Sequence, residues 1–129
     1  MTLNSPVLVV DDSEDIRETL KKLLEAVGFS VLTAADGSEA LAVLERSPRV
    51  GIILLDLMMP VMNGAEFMAA QRNNSLIRAI PVVILTANPY RVEASLVGVA
   101  DVLVKPVDPE RLVESITKHS RPTATRREA

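Results

Sequence analysis

Short apolar runs alternate with amphipathic stretches along nearly the whole chain, and this alternation limits what the chain can fold into. The runs predicted to be strands are residues 6–10, 30–34, 51–55, 81–85 and 101–104. The first, third and fourth are continuously apolar, as strands are when helices cover both faces of a parallel sheet. The second run is more mixed, which suits an edge strand.

Helix signals lie between and after these runs. Apolar residues recur every three or four positions between Ser13, a predicted N-cap, and Gly28, a predicted C-terminal stop. The last helix is predicted to begin after Asp108, with Pro109 at its first position. Further helices are predicted over 38–46, with Ser38 as the cap, over 64–72 and over 91–97.

The resulting order is strand then helix, five times. Such alternation predicts an α/β fold, a parallel sheet with helices on both faces and right-handed crossovers. The chain has 129 residues, of which 48% are hydrophobic and 24% charged, as expected for one ordinary globular domain. We expect that domain to cover residues 1–119, followed by a basic, disordered tail over 120–129.

Composition excludes several classes of function. The chain has no cysteine and one histidine, so neither disulfides nor a multi-histidine metal cage can form. Its net charge of −3 and its 2% aromatic content do not favour nucleic-acid binding. We find neither a membrane span nor a secretion signal, and therefore expect a soluble, cytoplasmic protein that does not insert into membranes.

Polar residues follow the predicted strands, at the edge where open α/β sheets bind their ligands. They are Asp11, Asp12, Asp56, Thr86 and Lys105. Each has an ordinary structural interpretation when taken alone: a turn, a helix cap, a strand end or a surface lysine. Their common placement at one edge favours a functional site instead.

The charges of this group indicate its chemistry. Three carboxylates and one ammonium leave a charge of −2, and oxygen ligands suit Mg²⁺ or another hard divalent cation. An aspartate can also attack phosphorus and form an aspartyl-phosphate. A hydroxyl such as that of Thr86 and an ammonium such as that of Lys105 could then contact phosphoryl oxygens.

At these positions the sequence resembles the receiver domains of two-component response regulators, the CheY-like family. The resemblance runs from about residue 6 to residue 119 and is carried by four motifs: VLVVDDSE (7–14), LLDLMMPVMNG (54–64), VILTA (83–87) and VKP (104–106). It implies a flavodoxin-like, doubly wound (βα)5 fold with a five-stranded parallel sheet of order 2-1-3-4-5.

The resemblance also implies roles for the acidic residues. Asp56 would accept a phosphoryl group from the phosphohistidine of a sensor histidine kinase or a histidine phosphotransfer protein. Asp11, Asp12 and Asp56 would hold Mg²⁺ or Mn²⁺, and the backbone carbonyl of Met58 would complete the protein ligands. Such a protein is a phosphoacceptor with slow self-dephosphorylation, and not an enzyme.

On the basic side, the resemblance implies that Thr86 moves toward the phosphoryl group and that Lys105 pairs with it. The peptide bond from Lys105 to Pro106 would be cis. Three features depart from the family pattern. Val102 stands where receivers commonly have Tyr or Phe, and Thr86 lies only 19 residues before Lys105. Val107 follows Pro106, where a larger residue is frequent in the family. The output surface is therefore expected to be atypical.

Three functions remain open at this point. The first is a stand-alone response regulator whose phosphorylation switches its binding to an unknown downstream protein. The second is a docking module of the same fold that binds its partner without regard to phosphorylation. The third is a Mg²⁺-dependent phosphohydrolase with Asp56 as nucleophile, which activity on small phosphoesters would reveal.

Overall fold

The computed structural model describes residues 5–59, 61–87 and 98–121. The strands are β1 Val7–Val10, β2 Val31–Ala34, β3 Ile52–Asp56, β4 Val82–Thr86 and β5 Asp101–Val104. The helices are α1 Glu14–Val27, α2 Gly37–Arg46, α3 Gly64–Arg72 and α4 Pro109–His119. The helix predicted over 91–97 lies outside the described residues.

The strands form one parallel sheet in the order β2-β1-β3-β4-β5, so the predicted fold class is confirmed and β2 lies at an edge. Two apolar clusters pack on its opposite faces. One includes Phe67 of α3 and Leu44 of α2, and the other includes Leu24 of α1 and Leu112 of α4. Alternate residues of the central strands supply both clusters, which explains why these strands read as continuous apolar runs.

No helix within the described ranges is both long enough and apolar enough to cross a membrane.

Both ends of α1 and the start of α4 lie where the sequence predicts them. The Ser13 side chain accepts a hydrogen bond from the Ile16 N–H, and Gly28 ends α1 in the left-handed conformation, with φ 109°. Asp108 caps α4 and Pro109 is its first residue. These short-range devices satisfy backbone groups that a helix end leaves without partners.

The start of α2 differs from its prediction. Asp36, and not Ser38, is the N-cap: its side chain accepts from the Glu39 N–H at 2.8 Å. Gly37 is the first helical residue, one position before the predicted start. Aspartate and serine cap helices about equally well, so residue type alone could not decide between the two positions.

The chain after α4 continues to contact the domain at Arg121, although we expected the tail to begin at residue 120. The Arg121 N–H donates to the Gly51 carbonyl at 3.0 Å, and its guanidinium donates to the Pro48 carbonyl at 2.9 Å. Arg121 is therefore hydrogen-bonded to the segment before β3. The rest of the predicted tail, 122–129, lies outside the described residues.

A charged cluster joins edge strand β5 to α4. The Asp101 carboxylate accepts from the Ser115 hydroxyl at 2.8 Å and lies 3.2 Å from the Arg111 guanidinium. Burial acts to raise the pKa of Asp101, but hydrogen bonds from Ser115 and the Val102 N–H, together with Arg111, lower it below its usual value. The ionised form therefore stabilises the contact between β5 and α4.

This cluster predicts a dependence of stability on pH. A lowered pKa in the folded state contributes stability above the usual pKa of 3.8, and that contribution is lost as the pH falls through the lowered value. Asp101→Asn should therefore cost about 1 kcal/mol of unfolding free energy at pH 7, with a difference that shrinks below pH 3.8. Urea unfolding of the variant and of a Glu110→Gln control measures it. If Asp101→Asn lowers the unfolding free energy by the same amount at every pH, the ionised carboxylate does not stabilise the fold.

Val61 carries an unusual backbone conformation. Its φ is 66°, which is costly for a β-branched residue, and it is 81% exposed. Val61→Gly should therefore raise the unfolding free energy by about 1 kcal/mol. Leu76→Gly, at a similarly exposed position without a positive φ, should lower it by about 0.5 kcal/mol. Equal destabilisation of both variants in urea unfolding would refute the strain at Val61.

Candidate functional site

The sheet brings the predicted polar residues together at the carboxyl ends of its strands. Asp11 directly follows β1, and Asp56 is the last residue of β3, one position further along its strand than predicted. Thr86 likewise ends β4, and Lys105 directly follows β5. Because Val10 pairs with Leu55, Asp11 and Asp56 continue two neighbouring strands side by side.

Asp11 is almost completely buried, with 1% of its surface exposed, and its carboxylate has a partner on each oxygen. One oxygen accepts from the Ser13 N–H at 2.9 Å, and the other lies 2.9 Å from the Lys105 ammonium. Burying a carboxylate is costly unless it is paired and hydrogen-bonded in this way. Asp12, the next residue, is exposed.

Asp56 is 6% exposed, and its carboxylate has weaker contacts than that of Asp11. It accepts a long hydrogen bond, 3.3 Å, from the Met58 N–H and lies 3.5 Å from the Lys105 ammonium. Burial raises the pKa of Asp56, the charge of Asp11 raises it further, and Lys105 opposes both effects only in part. This carboxylate is therefore short of positive charge.

Lys105 lies between the two buried carboxylates. Burial lowers the pKa of its ammonium, but the hydrogen bond and charge of Asp11, helped by Asp56, outweigh this effect and raise that pKa above its usual value. Among the described residues, Lys105 is the basic side chain that lies within ion-pair distance of these carboxylates. The bond from Lys105 to Pro106 is cis.

Asp11, Asp12 and Asp56 offer carboxylate oxygens that lie within 4.8 Å of one another, so together they could hold a metal ion. Lys105 compensates one of the three negative charges. The remaining charge and the all-oxygen donor set fit a hard divalent cation. Met58, whose carbonyl we expected as a further ligand, lies two residues after Asp56, and its side chain is 65% exposed.

Thr86 and Val102 lie on the β4 and β5 side of the site. Thr86 is buried, and its carbonyl accepts from the Lys105 N–H at 2.8 Å, which ties the lysine to the end of β4. Val102 is partly buried and pairs with Ile84, two residues before Thr86. The small side chain at 102 therefore lies in the strand next to Thr86.

One further residue of this site, Arg17, was not predicted from the sequence. The Arg17 guanidinium, on α1, donates to the backbone carbonyl of Asp11 at 2.7 Å and so braces the turn that carries both Asp11 and Asp12. Its place one turn after the Ser13 cap was the available signal. The spacing was not diagnostic, because exposed arginines are common in the first turns of helices.

Comparisons with known proteins agree with this geometry. Residues 7–117 match the family described as the response regulator receiver domain. The protein PilG of Pseudomonas aeruginosa is 38% identical over 117 residues, which cover 88% of this chain and 85% of that protein. The transcriptional regulatory protein CpxR of Escherichia coli is 38% identical over 113 residues, but the match covers only 47% of that longer protein.

Solved structures show the same fold. The chemotaxis protein CheY4 of Vibrio cholerae superposes with a TM-score of 0.80 at 40% identity, over 89% of this chain and 98% of that one. A response regulator receiver protein from Pseudomonas putida superposes with a TM-score of 0.82 at 29% identity, over 92% of this chain and 99% of that one.

Proposed function

The chain belongs to the response regulator receiver domain family, whose members accept a phosphoryl group and are not catalytic enzymes, and we propose that Asp56 is its phosphoacceptor. The observation that carries the proposal is that Lys105 forms ion pairs with both buried carboxylates, Asp56 and Asp11, at one sheet edge. The family implies a cognate histidine kinase. We propose as donor a phosphohistidine on such a kinase or on a histidine phosphotransfer protein.

The chemistry is an in-line displacement at phosphorus. A carboxylate oxygen of Asp56 forms the new O–P bond while the P–N bond to the donor imidazole breaks and its electron pair returns to the nitrogen. The Lys105 ammonium lies near enough to Asp56 to compensate the charge that the phosphoryl oxygens bring. The Thr86 hydroxyl is proposed to hydrogen-bond one of those oxygens.

Asp11, Asp12, Asp56 and the Met58 carbonyl are the proposed ligands for Mg²⁺ or Mn²⁺. A bound ion of this kind supplies positive charge beside the carboxylates and the phosphoryl oxygens. The chain's own contribution is to hold the Asp11 carboxylate in place through the Ser13 N–H and the Lys105 ammonium, which fixes one of the proposed ligands.

A groove of about 480 Å³ beside Lys105 supports docking of a donor protein. It lies between α1 and the segment after β5, and its apolar lining includes Ile16, Leu20, Leu85 and Val107. An apolar surface next to the reactive carboxylate fits a partner that must hold its phosphohistidine close to Asp56. A cytoplasmic location is proposed with this role, since the family typically works there.

The test is incubation with acetyl phosphate and Mg²⁺, followed by measurement of the intact mass. The proposal predicts one added phosphoryl group per chain, lost when a chelator replaces Mg²⁺. An unchanged mass with acetyl phosphate and with a second small phosphodonor would contradict it.

Val102 favours a second candidate function, a docking module whose affinity for its partner does not depend on phosphorylation. With valine beside Thr86, the usual aromatic side chain is not there to link the site to the output surface. The phosphoryl mimic beryllofluoride separates the two candidates, because a ligand shifts a conformational equilibrium only if it binds the two states differently. A partner protein is first isolated by its binding to this chain. If the protein is a switch, beryllofluoride should change the affinity for that partner, and if it is a docking module, the affinity should stay the same.

A further inference from the structure

The first residue of α2 is in direct contact with the segment that follows Asp56. The Gly37 N–H donates to the Met62 carbonyl at 3.1 Å. A Cβ added to Gly37 would lie 2.7 Å from Cγ and 2.9 Å from Sδ of Met62. Met62 therefore fills the space that any other residue at position 37 would need, and its backbone is hydrogen-bonded at the same point.

The residue before Met62 shows why this contact matters. Val61 has a φ of 66° and is 81% exposed. Burial of its side chain therefore does not offset the cost of this backbone conformation. The neighbours hold it instead. On its carboxyl side, Met62 is tied to Gly37, and the next residue, Asn63, is fixed by a capping box with Glu66 at the start of α3.

The base of the same segment is closed separately. The Gly64 N–H donates to the Leu57 carbonyl at 3.1 Å, and a Cβ at Gly64 would lie 3.0 Å from the Leu57 Cα. The Met58 N–H donates to the Asp56 carboxylate at 3.3 Å. The chain after Asp56 is thus held at its base by Gly64 and further along by Gly37.

We propose that Gly37 is a positioning residue for the site, one that holds Met62 and through it keeps the Met58 carbonyl and Asp56 placed to receive a cation. This inference rests on the proposed function. If Met62 is displaced, Val61 can return to an ordinary φ, and the segment that carries Met58 loses one of its two attachments, the one at Gly37. Residues that orient metal ligands typically change metal affinity about 10- to 100-fold when they are mutated.

The experiment titrates Mn²⁺ into the whole chain by calorimetry. Gly37→Ala introduces the clash with Met62 and should raise the dissociation constant about tenfold. Met62→Ala removes the packing and should raise it by less than Gly37→Ala does. In the double variant the contacts with Cγ and Sδ are gone and the close contact with the Cβ of residue 62, at 3.0 Å, remains, so affinity should recover part of the loss. Ser38→Ala, at the next and exposed position, is the matched control and should bind as the wild type does.

Thermal unfolding of each variant shows whether it folds. The inference is overturned if folded Gly37→Ala binds Mn²⁺ with the wild-type constant, or if the folded double variant binds no better than Gly37→Ala. If Gly37→Ala does not fold, Met62→Ala decides, and a wild-type constant there overturns the inference. The proposed function fails separately, if the wild type binds Mn²⁺ normally but takes no phosphoryl group from acetyl phosphate.

Discussion

Asp56→Asn is expected to end phosphoryl uptake and, at the same time, to stabilise the folded chain. The amide has nearly the same shape but is no nucleophile for phosphorus, so uptake should fall to background. The stability gain follows from burial and from the charge of Asp11, which both raise the pKa of Asp56. Functional sites often lower the stability of the proteins that carry them.

The pH dependence of this gain has a definite sign. With a raised pKa, the folded state binds a proton more tightly than the unfolded state, so wild-type stability is lost as the pH rises through that pKa. Asp56→Asn escapes this loss. The stability advantage of Asp56→Asn should be largest above the raised pKa and shrink as the pH falls toward the usual value of 3.8.

Urea unfolding without divalent cations at pH 7 and pH 4 measures the effect, with Asp12→Asn as a control at an exposed carboxylate. The control should give a smaller change in stability. A folded Asp56→Asn that is less stable than the wild type at pH 7 would show that Asp56 is a structural carboxylate.

Lys105→Met is expected to have the largest effect on stability. The lysine is only 21% exposed and is paired with Asp11 at 2.9 Å and with Asp56 at 3.5 Å. Methionine keeps the length of the side chain but leaves two adjacent buried carboxylates without compensation, which should cost about 3 kcal/mol at pH 7. Because the pKa of Lys105 is raised, its contribution is complete at pH 7 and is lost only as the pH rises above its usual 10.5.

Chemical unfolding with and without Mg²⁺ tests this account. Mg²⁺ should stabilise Lys105→Met more than the wild type, because the variant has lost its own compensating charge. Lys105→Arg keeps the charge and should lose less stability than Lys105→Met. If both variants unfold at the same denaturant concentration as the wild type, the ion pairs contribute nothing to the fold.

The site residues at strand ends could be predicted because parallel strands place their carboxyl ends at one edge. A polar residue that ends an apolar run, such as Asp56, Thr86 or Lys105, can be recognised from the local sequence. Because the strands are parallel, such residues then lie close together at one edge of the sheet. The caps at Ser13 and Asp108 are equally local, and the structure reproduces them.

Other features depend on contacts between distant parts of the chain. The contact of Gly37 with Met62 and that of Arg121 with Pro48 join residues far apart in sequence. The left-handed conformation of Val61, the residue before Met62, is opposite to its own preference as a β-branched residue. No periodicity or spacing within a short window could have predicted them.

The most direct test of the central claim is to locate the phosphoryl group on the chain. The protein is treated with acetyl phosphate and Mg²⁺, the acyl phosphate is reduced with borohydride, and the peptides are sequenced by mass spectrometry. We predict that aspartate 56 alone is converted to homoserine, and that Asp56→Asn yields no converted residue. Conversion at Asp11 or Asp12 instead, or equal conversion in Asp56→Asn, would contradict the assignment of Asp56 as the phosphoacceptor.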